Sequence, residues 1–423
     1  MKKYHFIALA VCCGFLWACH KDGPTENPFA NAPWAIDETL PVPILVSAPD
    51  QATKSDAITS LADVSLKVIA YDQSVGEESL LFGKELDAVG VGVGSALSPG
   101  SIQFKEGNNN VTYYYPMSSV SSARYNYTFF AYHIPDGDHS GGFDNFGHYV
   151  VSFPLDPSTV AGNQDILVAS AEAEDYTLAA DILNEDLSPR SGYATTDGPF
   201  PGFNAKYQRI TYLYGYQQET GDAAAKAAAG QAEMEANQPK LYFSHCTARI
   251  ILKAMATDQH AEDSFTGSGL TIRLTSILQA NARENVKLDV SAALALNSTN
   301  YNAPDVTVLT WDTSSDEVTT PYEMTSTVAP AVQPVVAGEL MHADDCLYIV
   351  PGTDSFTIGY EISHNSLDEP ATFTKTIDAP TGGFLPGRTY TYNLKVDSNE
   401  AIHLSAYLGA WDTGGSEDID ALD

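Results

Sequence analysis

FLPGRTYTYNLKVDSNEAIHLSAYLGAWDTGGSEDIDALD (384–423) is the stretch whose reading decides the fold. Tyr390, Tyr392, Leu394 and Val396 alternate with polar residues, the period-two pattern of a strand with one buried face. Asp397-Ser398-Asn399 supplies turn chemistry. Ile402, Leu404, Ala406, Leu408 and Ala410 then alternate again, Trp411 ends the run, and an acidic, Gly-containing tail follows. Residues near a chain end stay poorly ordered unless something ties them down. Five alternating apolar residues here therefore predict a strand that packs on this protein's own core or on that of another copy.

The same period recurs upstream. Strands are expected at 61–72, 111–116, 125–134, 148–153 and 165–170, separated by clusters of Gly, Pro, Ser and Asn, with AKYQRITYLYG (205–215) as a further strand. LYFSHCTARIILKAMA (241–256) is a long strand with Cys246, Ala248, Ile250, Leu252 and Ala254 on one face. Leu241 and Phe243 lie in the opposite phase, so a bulge is expected near Ser244. More strands follow at 270–278, 305–311, 346–352, 355–362 and 372–377. PVPILVSA (41–48) is a short apolar run whose Pro41 and Pro43 point to an edge strand, and a polar loop, 49–60, follows it. GDAAAKAAAGQAEMEANQPK (221–240) breaks the pattern: it is Ala-rich and helix-forming without an apolar stripe. The expectation is an all-β chain of two mainly antiparallel β-sandwich domains, at 41–225 and 241–423, with an exposed Ala-rich helix at 226–240 between them.

Composition narrows the function classes. The formal net charge of −33 repels phosphate backbones and makes nucleic acid a poor partner. Self-association must then rest on apolar contact and backbone hydrogen bonds. The N-terminus reads as an export signal at 1–18. Lys2 and Lys3 form a basic head, and FIALAVCCGFLW (6–17) is an apolar run too short to span a bilayer. It ends Leu16-Trp17-Ala18-Cys19, which resembles the lipobox in which the Cys thiol is acylated; the alternative is an ordinary signal peptide that happens to carry Cys19. Acyl chains anchor by about 0.8 kcal/mol per buried CH₂. His rather than Asp at position 20 favours the outer membrane by analogy with known lipoproteins. Residues 19–40 are polar and proline-punctuated, a tether. Cys246 and Cys346 can pair in an oxidising compartment, but each sits in an apolar run that suits a buried free thiol.

No catalytic motif is present: no His-Glu-x-x-His, no Gly-x-Ser-x-Gly, no Walker loop and no Cys-x-x-Cys. VGVGVGSALSPG (89–100) lacks the helix opening a dinucleotide loop needs and reads as a small-residue strand or loop. His245 and Arg249, in the 241–256 strand, are better explained as hydrogen-bonded strand residues than as a base or ligand. No cofactor is expected. The one metal candidate is DGDHSGGFDNFG (136–147): Asp136, Asp138 and Ser140, with Gly141 at the sixth position, match the front of a calcium loop, and Asp144 stands at the ninth. Gly147 replaces the bidentate Glu and the flanks read as strands, so a solvated turn is the competing reading.

The chain resembles the fimbrillins, subunits of type V pili of Gram-negative gut and oral bacteria. The residues that carry the likeness are, in order, the lipobox, YTFFAYHIP (127–135), DILVAS (165–170), FSHCTARIIL (243–252), YIVPGTDSFTIGYEI (348–362), the Gly-Gly-Phe-x-Pro-Gly-Arg-x-Tyr-x-Tyr segment and the Ala-Trp-Asp-x-Gly-Gly terminus. The resemblance implies a non-enzymatic adhesion or pilus protein with transthyretin-like sandwiches, exported as a lipoprotein to the outer membrane and cell surface. It also implies a trypsin-like protease that cuts after a basic residue in the loop behind the first strand. The groove so opened takes a C-terminal strand of another subunit, self or related, by addition to a sheet edge. Here the cut falls after Lys54, where the family usually has Arg, and the donor is 400–411 with Ile402, Leu404, Ala406, Leu408, Ala410 and Trp411. An anchor subunit that is never cut is an alternative, as is a surface glycan-binding lipoprotein, which predicts an exposed aromatic platform; Trp34, Trp311 and Trp411 are scattered in sequence.

Overall fold

The computed structural model describes residues 40–48, 61–62, 64–72, 80–91, 100–117, 126–135, 139, 141–155, 165–172, 203–235, 238–256, 271–295, 306–324, 333–334, 338–339, 347–363, 369–398, 401–410 and 416–419. Cys19, Lys54, Asp136, Asp138, Ser140, Cys346 and Trp411 lie outside the described residues.

In chain order the first half forms β1 (Ser65–Asp72), β2 (Leu86–Gly90), β3 (Ile102–Glu106), β4 (Asn109–Asn110), β5 (Asn126–His133), β6 (Gly142–Phe143), β7 (Tyr149–Pro154), β8 (Leu167–Glu172) and β9 (Phe203–Asn204). Two helices follow, α1 (Ala205–Gln218) and α2 (Ala223–Glu235). Then come β10 (Lys240–His245), β11 (Ala248–Ala256), β12 (Thr271–Gln279), β13 (Asn285–Asp289), β14 (Leu309–Trp311), β15 (Tyr322–Glu323), β16 (Gln333–Pro334) and β17 (Gly338–Glu339). The last are β18 (Leu347–Ile349), β19 (Ser355–Ser363), β20 (Ala371–Asp378), β21 (Arg388–Ser398), β22 (Ala401–Ala410) and β23 (Ser416–Ile419).

The strands build four packed, mostly antiparallel sheets, an all-β sandwich architecture. The first runs β10-β8-β5-β1-β2-β3-β4, with β9 beside β5. Strict alternation buries both of its faces. Leu66, Val68, Phe129, Ala131, Leu167, Ala169, Leu241 and Phe243 enter one core. Ile69, Tyr71, Phe130, Tyr132 and Val168 enter another, against Tyr149, Val151 and Phe153 of β7 and Val286, Leu288 and Leu309 of β13 and β14. Those last strands form the second sheet, β14-β13-β7-β6. The third core lies between β17-β11-β21-β22-β23 and β15-β12-β19-β20, and is filled by Ile250, Leu252, Leu274, Ile277, Phe356, Ile358, Tyr390 and Tyr392.

Sheet membership does not follow a linear division at 226–240. β10 is hydrogen-bonded to β8 in the first sheet, and β13 is paired to β7 across Val286–Phe153 and Leu288–Val151. The 241–256 stretch is two strands in two sheets. The break falls at Cys246-Thr247, after which β11 pairs in parallel with β21 from Arg249–Thr389 to Ala256–Val396. A change of sheet, not a bulge at Ser244, accounts for the phase reversal seen in the sequence.

The 205–215 segment is helical, which corrects the strand expected there. Gln208, Arg209, Thr211, Tyr212 and Leu213 are all buried, a contact surface set by the neighbouring α2 and the core. The two helices cross closely because glycine faces each of them. A Cβ on Gly230 would lie 2.7 Å from the Tyr212 ring, and one on Gly215 would lie 2.5 Å from the Ala229 carbonyl oxygen. The Ala-rich helix thus buries Gly230 and Met234 rather than an aliphatic stripe.

Candidate functional site

The segment 42–48 precedes β1 and behaves as a strand with one face in the core. Val42, Ile44, Val46 and Ala48 are 1–3% exposed and belong to the core that lines one face of the first sheet. On one side its backbone binds the 100–115 region. The Ile44 N–H donates to the Tyr113 carbonyl (2.8 Å) and the Tyr115 N–H to the Val42 carbonyl (3.0 Å). The Ile102 N–H donates to the Val46 carbonyl (2.9 Å) and the Ala48 N–H to the Gly100 carbonyl (2.6 Å). On the other side the Ser47 N–H donates to Pro239 (2.9 Å) and the Ser47 carbonyl accepts from Leu241 (2.7 Å).

Ser47 is therefore bridged antiparallel to Ser101 and parallel to Lys240. The two ends of the first sheet, near β3 and at β10, meet across this segment, which corrects the edge position expected from its prolines. The physical reason is register. Residues 42, 44, 46 and 48 bond the 100–115 side, so Pro41 and Pro43 place their missing donors on the opposite side, where Ser47 is bonded to Pro239 and Leu241.

The chain leaves and returns at neighbouring points. Ala48 is bonded to Gly100, and after 49–60 the chain resumes with Ala62 bridged to Gly90. Gly90 in turn faces Ile102 of β3. Its lack of a side chain is required, because a Cβ there would collide with the Leu61 carbonyl. Residues 49–60, which carry Lys54 and lie outside the described residues, are the covalent link from the segment to β1. One end of the segment also meets the helices: the buried Arg209 of α1 donates from Nη1 to the Leu40 carbonyl (3.2 Å).

The proposed donor residues Ile402, Leu404, Ala406, Leu408 and Ala410 lie in β22. That strand pairs antiparallel with β21 of the same chain from Arg388–Ala410 to Ser398–Ala401, and β23 pairs on its other side. This is the pairing of a strand held in its own sheet.

Elsewhere several polar groups are tied into the scaffold. Asp144 Oδ1 accepts from the N–H groups of Phe146 (2.8 Å) and His148 (2.9 Å), forming a turn between β6 and β7. The His148 and Phe146 backbone donors hold its carboxyl below the usual range. Among the described residues no group of three His, Cys, Asp or Glu is placed to hold a metal ion. His245 Nδ1 lies 2.7 Å from Asp165 Oδ2, both buried at the end of β10. Cys246 is a free, fully buried thiol whose pKa burial pushes well up. Trp311 is partly buried and donates to Thr353 Oγ1 (3.4 Å), so its indole edge is engaged within the fold.

A network that no sequence pattern announced joins the first two sheets. Glu85 Oε1 accepts from Tyr132 OH (2.7 Å), Tyr149 OH (2.7 Å) and the Gly141 N–H (2.9 Å). Burial first, then the Glu85 bond, raises both phenol pKa values well above the usual range.

These features define a class: an all-β protein of packed sheets in which the first segment closes the gap between two sheet ends. No family model matches the chain, and no curated protein does. Solved structures are similar over nearly their whole length. One, described as a candidate cell adhesion protein from Bacteroides uniformis, is 12% identical with a TM-score of 0.40, covering 88% of this chain and 98% of that one. A second, described in the same way and from Bacteroides ovatus, is 13% identical with a TM-score of 0.41, covering 91% and 99%. The fimbrial anchor protein Mfa2 from Porphyromonas gingivalis is 10% identical with a TM-score of 0.29, covering 88% and 98%. At these values the likeness fixes neither residue correspondence nor function.

Proposed function

We propose that the protein is a structural or accessory subunit of a cell-surface pilus of the fimbrillin kind, without enzymatic activity. In this reading it is exported as a lipoprotein acylated at Cys19, held at the outer membrane, and activated by a trypsin-like cut after Lys54. The observation that carries the reading is the placement of 42–48. Its four alternating side chains are buried, its backbone is bonded on both sides at Ser47, and its covalent link to β1 runs through 49–60, whose sequence has Lys54 as its one basic residue. Cutting that link leaves the segment held by non-covalent contacts alone. Its departure opens an apolar groove flanked by unpaired backbone on both sides, which an extended strand of alternating side chains fills.

The strand that enters is 400–411 of a second subunit, of this chain or a related one, with Ile402, Leu404, Ala406, Leu408 and Ala410 in the groove and Trp411 at its end. Because β22 is paired to β21 in the isolated chain, donation is an exchange of partners, and its rate is set by strand withdrawal. Immunogold electron microscopy of cells expressing the protein tests the reading. Label on surface fibres, lost when Lys54 is replaced by Gln, is the expected result. Label spread over the envelope with no fibre association, in both strains, overturns it.

A further inference from the structure

The helical hairpin, α1 with α2, sits at the end of the groove where the segment begins. Tyr212 and Met234 pack in the same core as Val42 and Ile44, and Arg209, a residue 3% exposed, reaches the Leu40 carbonyl through its guanidinium. Gly230 and Gly215 let the helices cross tightly enough to bring these side chains inward. A buried guanidinium N–H that loses its carbonyl acceptor gives up a charge-assisted hydrogen bond in low dielectric, the stronger kind. We propose that this hairpin is a latch for whichever strand occupies the groove, with Arg209 as the residue that reads the strand's position. The inference rests on the strand-exchange reading above and names the partner's requirement. Arg209 takes a main-chain carbonyl, so it selects register rather than side chain. The incoming strand of a second subunit, lying parallel to β10, must extend two residues before its first buried side chain, as Leu40 precedes Val42.

Two peptides separate the carbonyl from the side chains. Acetylated 41–48 keeps a carbonyl at the Leu40 position, supplied by the acetyl group. Acetylated 42–48 lacks it and otherwise loses only Pro41, whose side chain is exposed. The mature chain, with a specific-protease sequence inserted after Lys54, is cut and loaded with each labelled peptide, and release is followed by fluorescence anisotropy. The latch requires the shorter peptide to leave about ten- to a hundredfold faster, the size of a hydrogen bond to a charged group. It also requires the two peptides to leave at matching rates from the Arg209→Gln protein. Equal rates from the unmodified protein overturn the latch and leave strand exchange standing. Failure of both peptides to enter the cut protein overturns both. If Arg209→Gln does not fold, the comparison on the unmodified protein decides alone.

Discussion

Ile44→Ala is the most direct probe of the groove. Ile44 is 2% exposed at the centre of the buried row, and its N–H bond to Tyr113 survives the substitution. Removing the aliphatic side chain costs the transfer energy of its carbons plus the cavity left behind, about 2–5 kcal/mol for Ile to Ala in a core. In the uncut chain this lowers the stability of the first sheet. In a chain cut between 49 and 60 the same energy falls on retention of the segment, which then leaves about 30-fold to a few thousandfold faster. Native mass spectrometry over time after the cut reads this as loss of the N-terminal fragment. Ile44→Val, at about 0.5–1.5 kcal/mol, gives a smaller acceleration, and Pro41→Ala, at an exposed position, gives little. An Ile44→Ala fragment that stays as long as the unmodified one refutes the reasoning, because the segment would then be held by something other than its buried face.

Cys19→Ala is expected to leave the precursor without acyl label in cells fed a labelled fatty acid; normal labelling sinks the lipoprotein reading. Limited trypsin treatment of folded protein is expected to give a new N-terminus at Ser55, and an intact Lys54 beside cuts elsewhere favours an anchor that is never processed. The Tyr132 and Tyr149 phenols are held protonated in the fold, above an unfolded value of about 10. Their contribution is therefore complete below about pH 10 and is lost as pH rises beyond it, so denaturant midpoints should fall from pH 10 to about 12; a flat profile contradicts the assignment. Deleting 400–423 is expected, under strand donation, to leave a folded monomer that does not polymerise. Loss of the cooperative transition of the β11–β21 sheet on deletion shows instead that β22 is needed at home.

How much of this was legible in the sequence depended on whether a residue's role was local. β1, β5, β7, β12, β19, β20, β21 and β22 all coincide with strands expected from the sequence, because a strand's own neighbours and the cores on its faces suffice to set its apolar pattern. Helix α1 was misread because Ile210, Tyr212 and Tyr214 alternate like a strand, whereas its burial is set by α2, with no strand neighbour to reward the alternation. The pairing of β13 with β7 joins residues more than 130 positions apart in partners such as Val286 and Phe153, and no local chemistry marks it. Arg209 shares its Tyr-rich run with Lys206, and only the fold shows that it is Arg209 that reaches Leu40. Glu85 left none: its phenol partners at 132 and 149 are chosen by sheet packing alone.

In the proposed exchange the first segment has to be core and yet removable, and its prolines reconcile the two. Val42, Ile44, Val46 and Ala48 are buried to 1–3% exposure, as a core strand is. Among the described residues its backbone is bonded from Val42 to Ala48 on the 100–115 side. On the β10 side the described bonds are the pair at Ser47, and Pro41 and Pro43 have no N–H to extend that row. A central strand with both rows complete would gain further bonds at about 0.5–1.5 kcal/mol each and would be correspondingly harder to displace. AIHLSAYLGA (401–410) contains no proline and carries an N–H at every position. In the proposed exchange the resident strand thus competes with fewer donors than its replacement, while offering a similar row of aliphatic side chains. The direction of exchange then follows from the backbone, and the cut after Lys54 sets only its timing.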